Sequence, residues 1–347
     1  MTRMQRVAVG AMLLGGLVAG CGGGSTSTQS GSRKPTRGPA IKVGLLLDDV
    51  HERWRRDRDL FVEVADSMGA QTLVEVAEGD QDRQNQQADR LLAAGVTALV
   101  IVAHDTEGAR VIVEKARARN VRVISYDRLI RNADVDLYMG FDARRIGEMQ
   151  AQYLFSRAPK GNYLLIGGSP SDGNAKLLRE GQMKVLEPAV NRRAIRIAGD
   201  GWAENWTAEA AAGLTEQALD KTKNNLAAIV ASNDVTAAGA ISVLEKRDLA
   251  GKVLVSGQDA ELDAARRIVA GTQAMTVYKS LRTLTRLGAR SAVLMARGEK
   301  VDTSGVVNNG LKDVPSMIFD PIVVDKENLD GILIADGFLK RDQVYAR

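Results

Sequence analysis

Cysteine is almost missing: the 347-residue chain has one, Cys21. Beyond it no disulfide and no thiolate metal site can form, so whatever folds after Cys21 is held together by apolar cores. Histidine occurs twice and aromatic residues make up only 4%. His51 and His104 stand in no metal-ligand spacing, so no metal centre is expected, and both are predicted to lie on the surface. No apolar run is long enough to span a bilayer; the run 7–18 has about twelve residues where a span needs about twenty. An excess of charge is missing too. The net +4 comes from Arg3, Arg6, Arg33, Lys34 and Arg37, and the chain from residue 41 onward stands at about −1, which argues against nucleic acid as a partner. No nucleophile elbow or nucleophile–base pair is visible. The stretch 167–176 has the glycines of a phosphate loop, but Asn174 and Ala175 separate Gly173 from Lys176 and no hydroxyl residue follows the lysine. No catalytic residue and no cofactor are therefore predicted.

What is present begins with a leader. Arg3 and Arg6 precede the apolar run 7–18, and small residues then lead directly into Cys21, the plan of an export signal. Val18, Ala19, Gly20 and Cys21 match the bacterial lipobox, so residues 1–20 are predicted to be a lipoprotein signal peptide and Cys21 the acylated first residue of the mature protein. Residues 21–40, rich in Gly, Ser and Thr, cannot bury apolar surface and are predicted to be a flexible tether. The folded part is expected outside the cytoplasm, anchored by lipid to a membrane of the cell envelope.

From residue 41 one unit repeats, a short β-rich apolar run followed by a stretch with helical spacing. Runs at 41–47, 71–76, 98–103 and 121–126 read as buried parallel strands, with helices at 53–68, 82–94 and 106–119 between them. A second series follows residue 143, with strands near 162–167, 194–199, 226–231, 252–256 and 273–277 and intervening helices. Such alternation predicts an α/β protein of two doubly wound parallel-sheet lobes. A last helix at 280–296 and the tail are expected to return to the lobes, making a hinge of several crossings. The predicted division is 41–143 plus about 280–312 for the first lobe, and 144–279 plus about 313–347 for the second.

Ligands of such sheets bind beyond the carboxyl ends of the strands, and there this chain is polar. Asp48, Asp49, Arg53 and Trp54 follow the first run, Asp127 and Arg128 the fourth, and Asp172 and Asn174 the first run of the second series. Trp202, Trp206, Asn233, Asp259 and Lys279 stand at later strand ends, so all three tryptophans fall at the expected cleft. Singly, each has a plainer role: Asp172, Asn174, Asn233 and Asp259 can be helix caps, and Arg53 can belong to a solvated charged face. Together, three cations, several carboxylates, amides and flat indoles suit a neutral ligand dense in hydroxyls. Each hydroxyl gives one proton and accepts twice, and an indole covers the C–H face of a pyranose. Paired carboxylates would also serve glycoside hydrolysis, which is the enzyme alternative.

Several segments resemble a known family: Glu-Arg-Trp at 52–54 with Asp-Arg-Asp at 57–59, Tyr-Asp-Arg-Leu-Ile at 126–130, Gly-Asn-Tyr-Leu-Leu-Ile-Gly-Gly-Ser-Pro at 161–170, Asn-Ala-Lys-Leu at 174–177, Gly-Gln-Met-Lys-Val-Leu at 181–186, Ala-Ser-Asn-Asp at 231–234, Ser-Gly-Gln-Asp-Ala at 256–260, Ala-Gly-Thr-Gln-Ala-Met-Thr-Val-Tyr-Lys at 270–279, and Asn-Asn-Gly-Leu-Lys-Asp-Val-Pro-Ser at 308–316. The chain, from about residue 41 to near 338, is similar to the D-xylose-binding proteins of bacterial ABC transporters. That resemblance implies a type I periplasmic binding fold which closes on one monosaccharide, acts as a monomer, and docks on a permease driven by a separate ATPase. It also implies sugar contacts from Arg53, Trp54, Arg128, Asp172, Asn174, Trp206, Asn233, Asp259 and Lys279, with Asp127 holding Arg128 in place. Two departures stand out: the stretch Asp49 to Glu52 is one residue shorter than the family pattern, and Gly173 replaces a usual Asn. Ribose, arabinose or glucose remain alternative ligands, and a chemoreceptor or sensor kinase an alternative partner. A sugar-responsive transcription regulator would share the two lobes but needs a helix-turn-helix, and none is visible.

Overall fold

The computed structural model describes residues 41–346. The signal-peptide, tether and Cys21 expectations therefore lie outside the described residues. The first lobe opens with β1 (Ile41–Leu47), α1 (Glu52–Ser67), β2 (Ala70–Val76), α2 (Gln81–Ala93), β3 (Ala98–Ile101), α3 (Arg110–Arg117), β4 (Arg122–Tyr126) and β5 (Leu137–Phe141). The second contains α4 (Ala143–Arg157), β6 (Gly161–Gly167), α5 (Gly173–Asn191), β7 (Ile195–Trp202), α6 (Ala208–Thr222), β8 (Ala228–Ala231), α7 (Asp234–Lys246), β9 (Leu254–Val255) and α8 (Leu262–Ala270). The chain then runs through β10 (Thr276–Tyr278), α9 (Leu281–Ala296), β11 (Gly305–Asn308), β12 (Asp313–Phe319), β13 (Ile322–Val324) and α10 (Arg341–Val344).

Strands buried on both faces read as unbroken apolar runs, and β3 illustrates why. Val100 and Val102 pack into one core with Val43, Phe61 and Leu284, while Leu99 and Ile101 face the other way onto Leu91 and Ile112. The first sheet has the order β11-β12-β5-β4-β3-β1-β2 and the second the order β7-β6-β8-β9. All neighbours in both are parallel except the β11–β12 pair. Strand order reverses between β1 and β3 in the first sheet and between β6 and β8 in the second, so each has one switch point where its chain ends diverge and a crevice opens.

The lobe boundary differs from the expected one. Strand β12 lies beside β5, with Ser316 opposite Tyr138 and Phe319 opposite Phe141, so residues 313–319 extend the first sheet. The final crossing comes after Phe319, where β13 pairs antiparallel with β10. Pro315 conceals this strand in the sequence because it has no N–H for a ladder. It is tolerated because pairing to β5 starts only at Ser316. Strand β5 also goes unpredicted: all five of its residues are buried, and Gly140 interrupts the apolar pattern. Helix α9 packs on α1, β1 and β3.

Candidate functional site

The site grows from the two switch points. Helix α1 turns Arg53, Asp57, Phe61 and Ala65 inward at a spacing of four, so one stripe of its charge-dense first half is buried. After β4, Asp127 takes a left-handed backbone (φ 65), which sets its carboxylate and the neighbouring Arg128 into the crevice. In the second lobe Asp172 caps α5, accepting from the Asn174 amide at 2.8 Å. Asn233 caps α7 through its Oδ1, which leaves its Nδ2 amide out of the cap. Asp259 (φ 98) and Trp206 (φ 59) are also left-handed, a conformation that costs side-chain-bearing residues energy and clusters at functional sites. Gly168 makes room for the indole of Trp206: a Cβ there would lie 2.2 Å from the ring.

Arg53, Trp54, Asp127, Arg128, Asp172, Asn174, Trp206, Asn233, Asp259 and Lys279 all line one pocket between the lobes. Two ionic chains cross it. Arg128 donates to Asp48 Oδ2 at 2.6 Å and to the Ala103 carbonyl at 2.8 Å, and its Nε lies 2.7 Å from Asp172 Oδ2 in the opposite lobe. Arg53 grips both oxygens of Asp127, at 2.5 and 3.2 Å, and reaches Asp259 across the cleft at 3.4 Å. Lys279 closes the second chain at 2.8 Å from Asp259. Asn174 Nδ2 donates to the Asp127 carbonyl at 3.0 Å. The expected role of Asp127 is thus corrected: its carboxylate holds Arg53, and Arg128 is held by Asp48 and Asp172. The guanidinium of Arg53 lies 4.1 Å from the Trp54 ring centroid, so that indole supports the cation as well as walling the pocket.

Two other expectations change. Trp202 lies outside the pocket, 39% exposed, with the Arg179 guanidinium over its ring. His104 is no surface residue: its Nδ1 is 2.8 Å from Asp48 Oδ1, behind Arg128, and its side chain is mostly buried. His51 lines the pocket mouth and pairs with Asp49 at 3.1 Å. Site membership also extends to Asn205, Gln258 and Glu261. For Asp48, Gln258 and His104 the available signal was position alone, because each follows a strand at or beside a switch point. Glu261 gives none, since it stands one turn beyond the strand end.

Burial alone would raise the Asp127 carboxyl, but Arg53 and Lys279 hold it well below the usual carboxylate range. Asp48 is likewise held low against burial by Arg128 and His104. Asp172 is pushed up by burial despite Arg128. Burial, with Asp234 and Asp259 nearby, raises Glu261 to about 8, so at neutral pH it lines the pocket as a carboxylic acid able to donate. Arg53 Nε, Trp206 Nε1 and Asn205 Oδ1 are buried with no hydrogen-bond partner among the described residues. Unpaired polar atoms are costly inside a protein, and these three gather at one pocket. Among the described residues no cluster of three or more His, Cys, Asp or Glu is arranged to hold a metal ion.

Comparison with known proteins agrees with this architecture. Residues 43–300 match a periplasmic binding protein domain. The D-xylose-binding periplasmic protein of Haemophilus influenzae is 46% identical over 88% of this chain and 92% of its own length. That of Escherichia coli is 44% identical over the same shares. A carbohydrate transporter solute-binding protein from Chloroflexus aurantiacus, solved with D-glucose, superposes with a TM-score of 0.82 at 31% identity, covering 88% of this chain and 98% of that one. With two doubly wound lobes, a polar crevice at both switch points and these relatives, the chain belongs to the periplasmic binding protein family.

Proposed function

We propose that this chain is an extracytoplasmic solute-binding protein that captures D-xylose between its two lobes and hands it to an ABC permease and its ATPase. The observation that carries the reading is the pairing of cations with carboxylates across the crevice beside three unpaired buried polar atoms. Such a set favours a compact neutral polyol and disfavours an anion, since carboxylates already outnumber cations there. Xylose leads the candidate sugars because the 46% and 44% identical relatives are named for it. Binding needs no bond chemistry, and the relatives are solute-binding proteins rather than enzymes. An open form would expose two half-sites to water. A sugar bridging them favours the closed form in proportion to its greater affinity for that state. The hydroxyls would insert into the Arg128–Asp172 and Arg53–Asp259 links, exchanging direct ion pairs for charge-assisted hydrogen bonds.

A thermal-shift panel of free monosaccharides on the full chain tests this. At a hundredfold excess over Kd, D-xylose is expected to raise the midpoint by roughly 5 °C, with ribose, arabinose and glucose giving less. No shift with any sugar would remove the reading, and turnover of an aryl xyloside would replace it with a glycoside hydrolase. The lipid anchor is a separate proposal resting on the lipobox. Cys21→Ser is expected to move the protein from the membrane fraction to the soluble fraction of its host, and an unchanged distribution would refute acylation.

A further inference from the structure

Beneath the second half-site runs a buried chain of side-chain amides that the sugar contacts do not include. Helices α4 and α5 cross closely because two glycines face the opposing backbone: a Cβ on Gly147 would lie 2.0 Å from the Leu178 carbonyl, and one on Gly181 2.0 Å from that of Arg144. One turn past Gly147, and immediately after Gly181, stand Gln150 and Gln182, both 0% exposed. Gln150 Nε2 donates to the carbonyls of Ser232 and Gly257, each at 3.1 Å. Its Oε1 accepts from Gln182 Nε2 at 2.9 Å, and Gln182 also donates to Ser232 Oγ at 3.2 Å. Gln182 Oε1 in turn accepts from Arg179 Nε at 3.1 Å.

An amide can face either way, but an arginine only donates. Arg179 therefore fixes which end of Gln182 faces it, and Gln182 fixes which end of Gln150 faces the strand ends. Every hydrogen of the Gln150 amide is spent on a carbonyl at the carboxyl end of a strand. Ser232 immediately precedes Asn233, and Gly257 is two residues before Asp259. Both turns are already strained or extended, Asp259 at φ 98, and they share a bond from the Asp234 amide to the Gln258 carbonyl at 3.0 Å. We infer that Gln150 is a positioning residue for the sugar site, clamping the Asn233 and Asp259 turns in register through an amide whose orientation Gln182 and Arg179 dictate. The inference rests on the proposed sugar binding for its functional consequence, and on the two carbonyl bonds alone for its structural one.

Gln150→Met keeps the volume and removes both donors. In the full-length variant, D-xylose Kd by titration calorimetry is expected to rise by about tenfold or more. Amide hydrogen exchange without sugar is expected to quicken at Asp234 and Asp259, whose N–H groups bond Gln258 and Val277 carbonyls, and to stay unchanged in β3 of the first lobe. Gln182→Met leaves both Gln150 donors in place but removes the partner that orients them, together with the bonds to Ser232 Oγ and Arg179 Nε; it should give a smaller loss in the same direction and stands in where Gln150→Met does not fold. Thr215→Val, which removes another fully buried side-chain hydrogen bond, to Ala211 on α6, should leave Kd unchanged. A Kd within twofold of wild type overturns the inference, as does a weakened Kd with unaltered exchange at the two turns. If wild type binds no sugar, the functional reading falls, while the exchange comparison still decides whether Gln150 holds the turns.

Discussion

Replacing Arg128 with alanine is expected to weaken D-xylose binding by more than about a hundredfold, the largest loss of any single pocket substitution. Three acceptors depend on this guanidinium: Asp48 and the Ala103 carbonyl in its own lobe, and Asp172 in the other. Both carboxylates are buried, Asp172 to 1% exposure. Removing the cation leaves Asp172 without its ionic partner and Asp48 with His104 alone, which costs about 3–5 kcal/mol beyond the lost sugar contact. Asp172, already pushed up by burial, would lose the cation that opposes that rise. Arg128→Lys should recover only part of the loss, since one ammonium cannot reproduce a planar fork serving two lobes. Calorimetric titration of variants shown to be folded measures this, and a Kd within twofold of wild type for Arg128→Ala would exclude the residue from the site.

Why Arg128 is visible in the sequence while His104, which shares Asp48 with it, is not comes down to what a one-dimensional pattern encodes. Strands such as 41–47 and 98–103 announce themselves because both faces are buried. The rule that ligands gather past strand ends then turns strand positions into site positions. Arg53, Asp172, Asn233 and Lys279 were found that way, and they converge on one pocket. That rule says nothing of which carboxylate meets which cation. The resemblance implies that Asp127 holds its chain neighbour Arg128, whereas its oxygens are turned toward Arg53 on α1. Trp202 misleads for the opposite reason: it stands at a strand end but points to the outer side, where it packs over Arg179. Gln150 and Gln182 carry no sequence signal because glutamine on a helix is ordinarily solvent-facing. Only the close approach permitted by Gly147 and Gly181 buries them. Strands β5 and β12 escape because Gly140 and Pro315 interrupt their apolar patterns.

Stability without sugar is expected to be greatest near pH 4 and to fall until about pH 7, opposite to the usual behaviour of carboxylate-rich proteins. Two buried acids outside the sugar contacts drive this. Asp57, one turn below Arg53, is pushed up by burial to about 6, and its carboxyl receives the Tyr126 hydroxyl at 3.1 Å. Asp234, beneath the Asp259 turn, is pushed up by burial to about 7. In the unfolded chain both ionise near 3.8. Below that pH each is protonated in either state and nothing is gained or lost. As pH rises, the unfolded chain releases these protons first while the folded chain keeps them until about 6 and 7. Stability therefore falls through that window and levels off above it, by about 3 kcal/mol for Asp57 and about 4 kcal/mol for Asp234. His104, raised by its bond to Asp48, acts in the same direction, because its stabilising charge is lost as pH climbs through its folded value. Asp127 and Asp48 set the acid limit: held low by their cations, they stabilise above about 4 and lose that contribution as pH falls further. Asp57→Asn keeps the hydrogen-bonding shape and removes one ionisation, so it should flatten the decline between pH 4 and 7. It should be more stable than wild type at pH 8 and close to wild type below about pH 4. Urea unfolding across this range decides the matter: a wild-type midpoint that climbs steadily from pH 4 to 7, with Asp57→Asn following in parallel, would mean that Asp57 is ionised throughout and that its burial is fully compensated by Arg53.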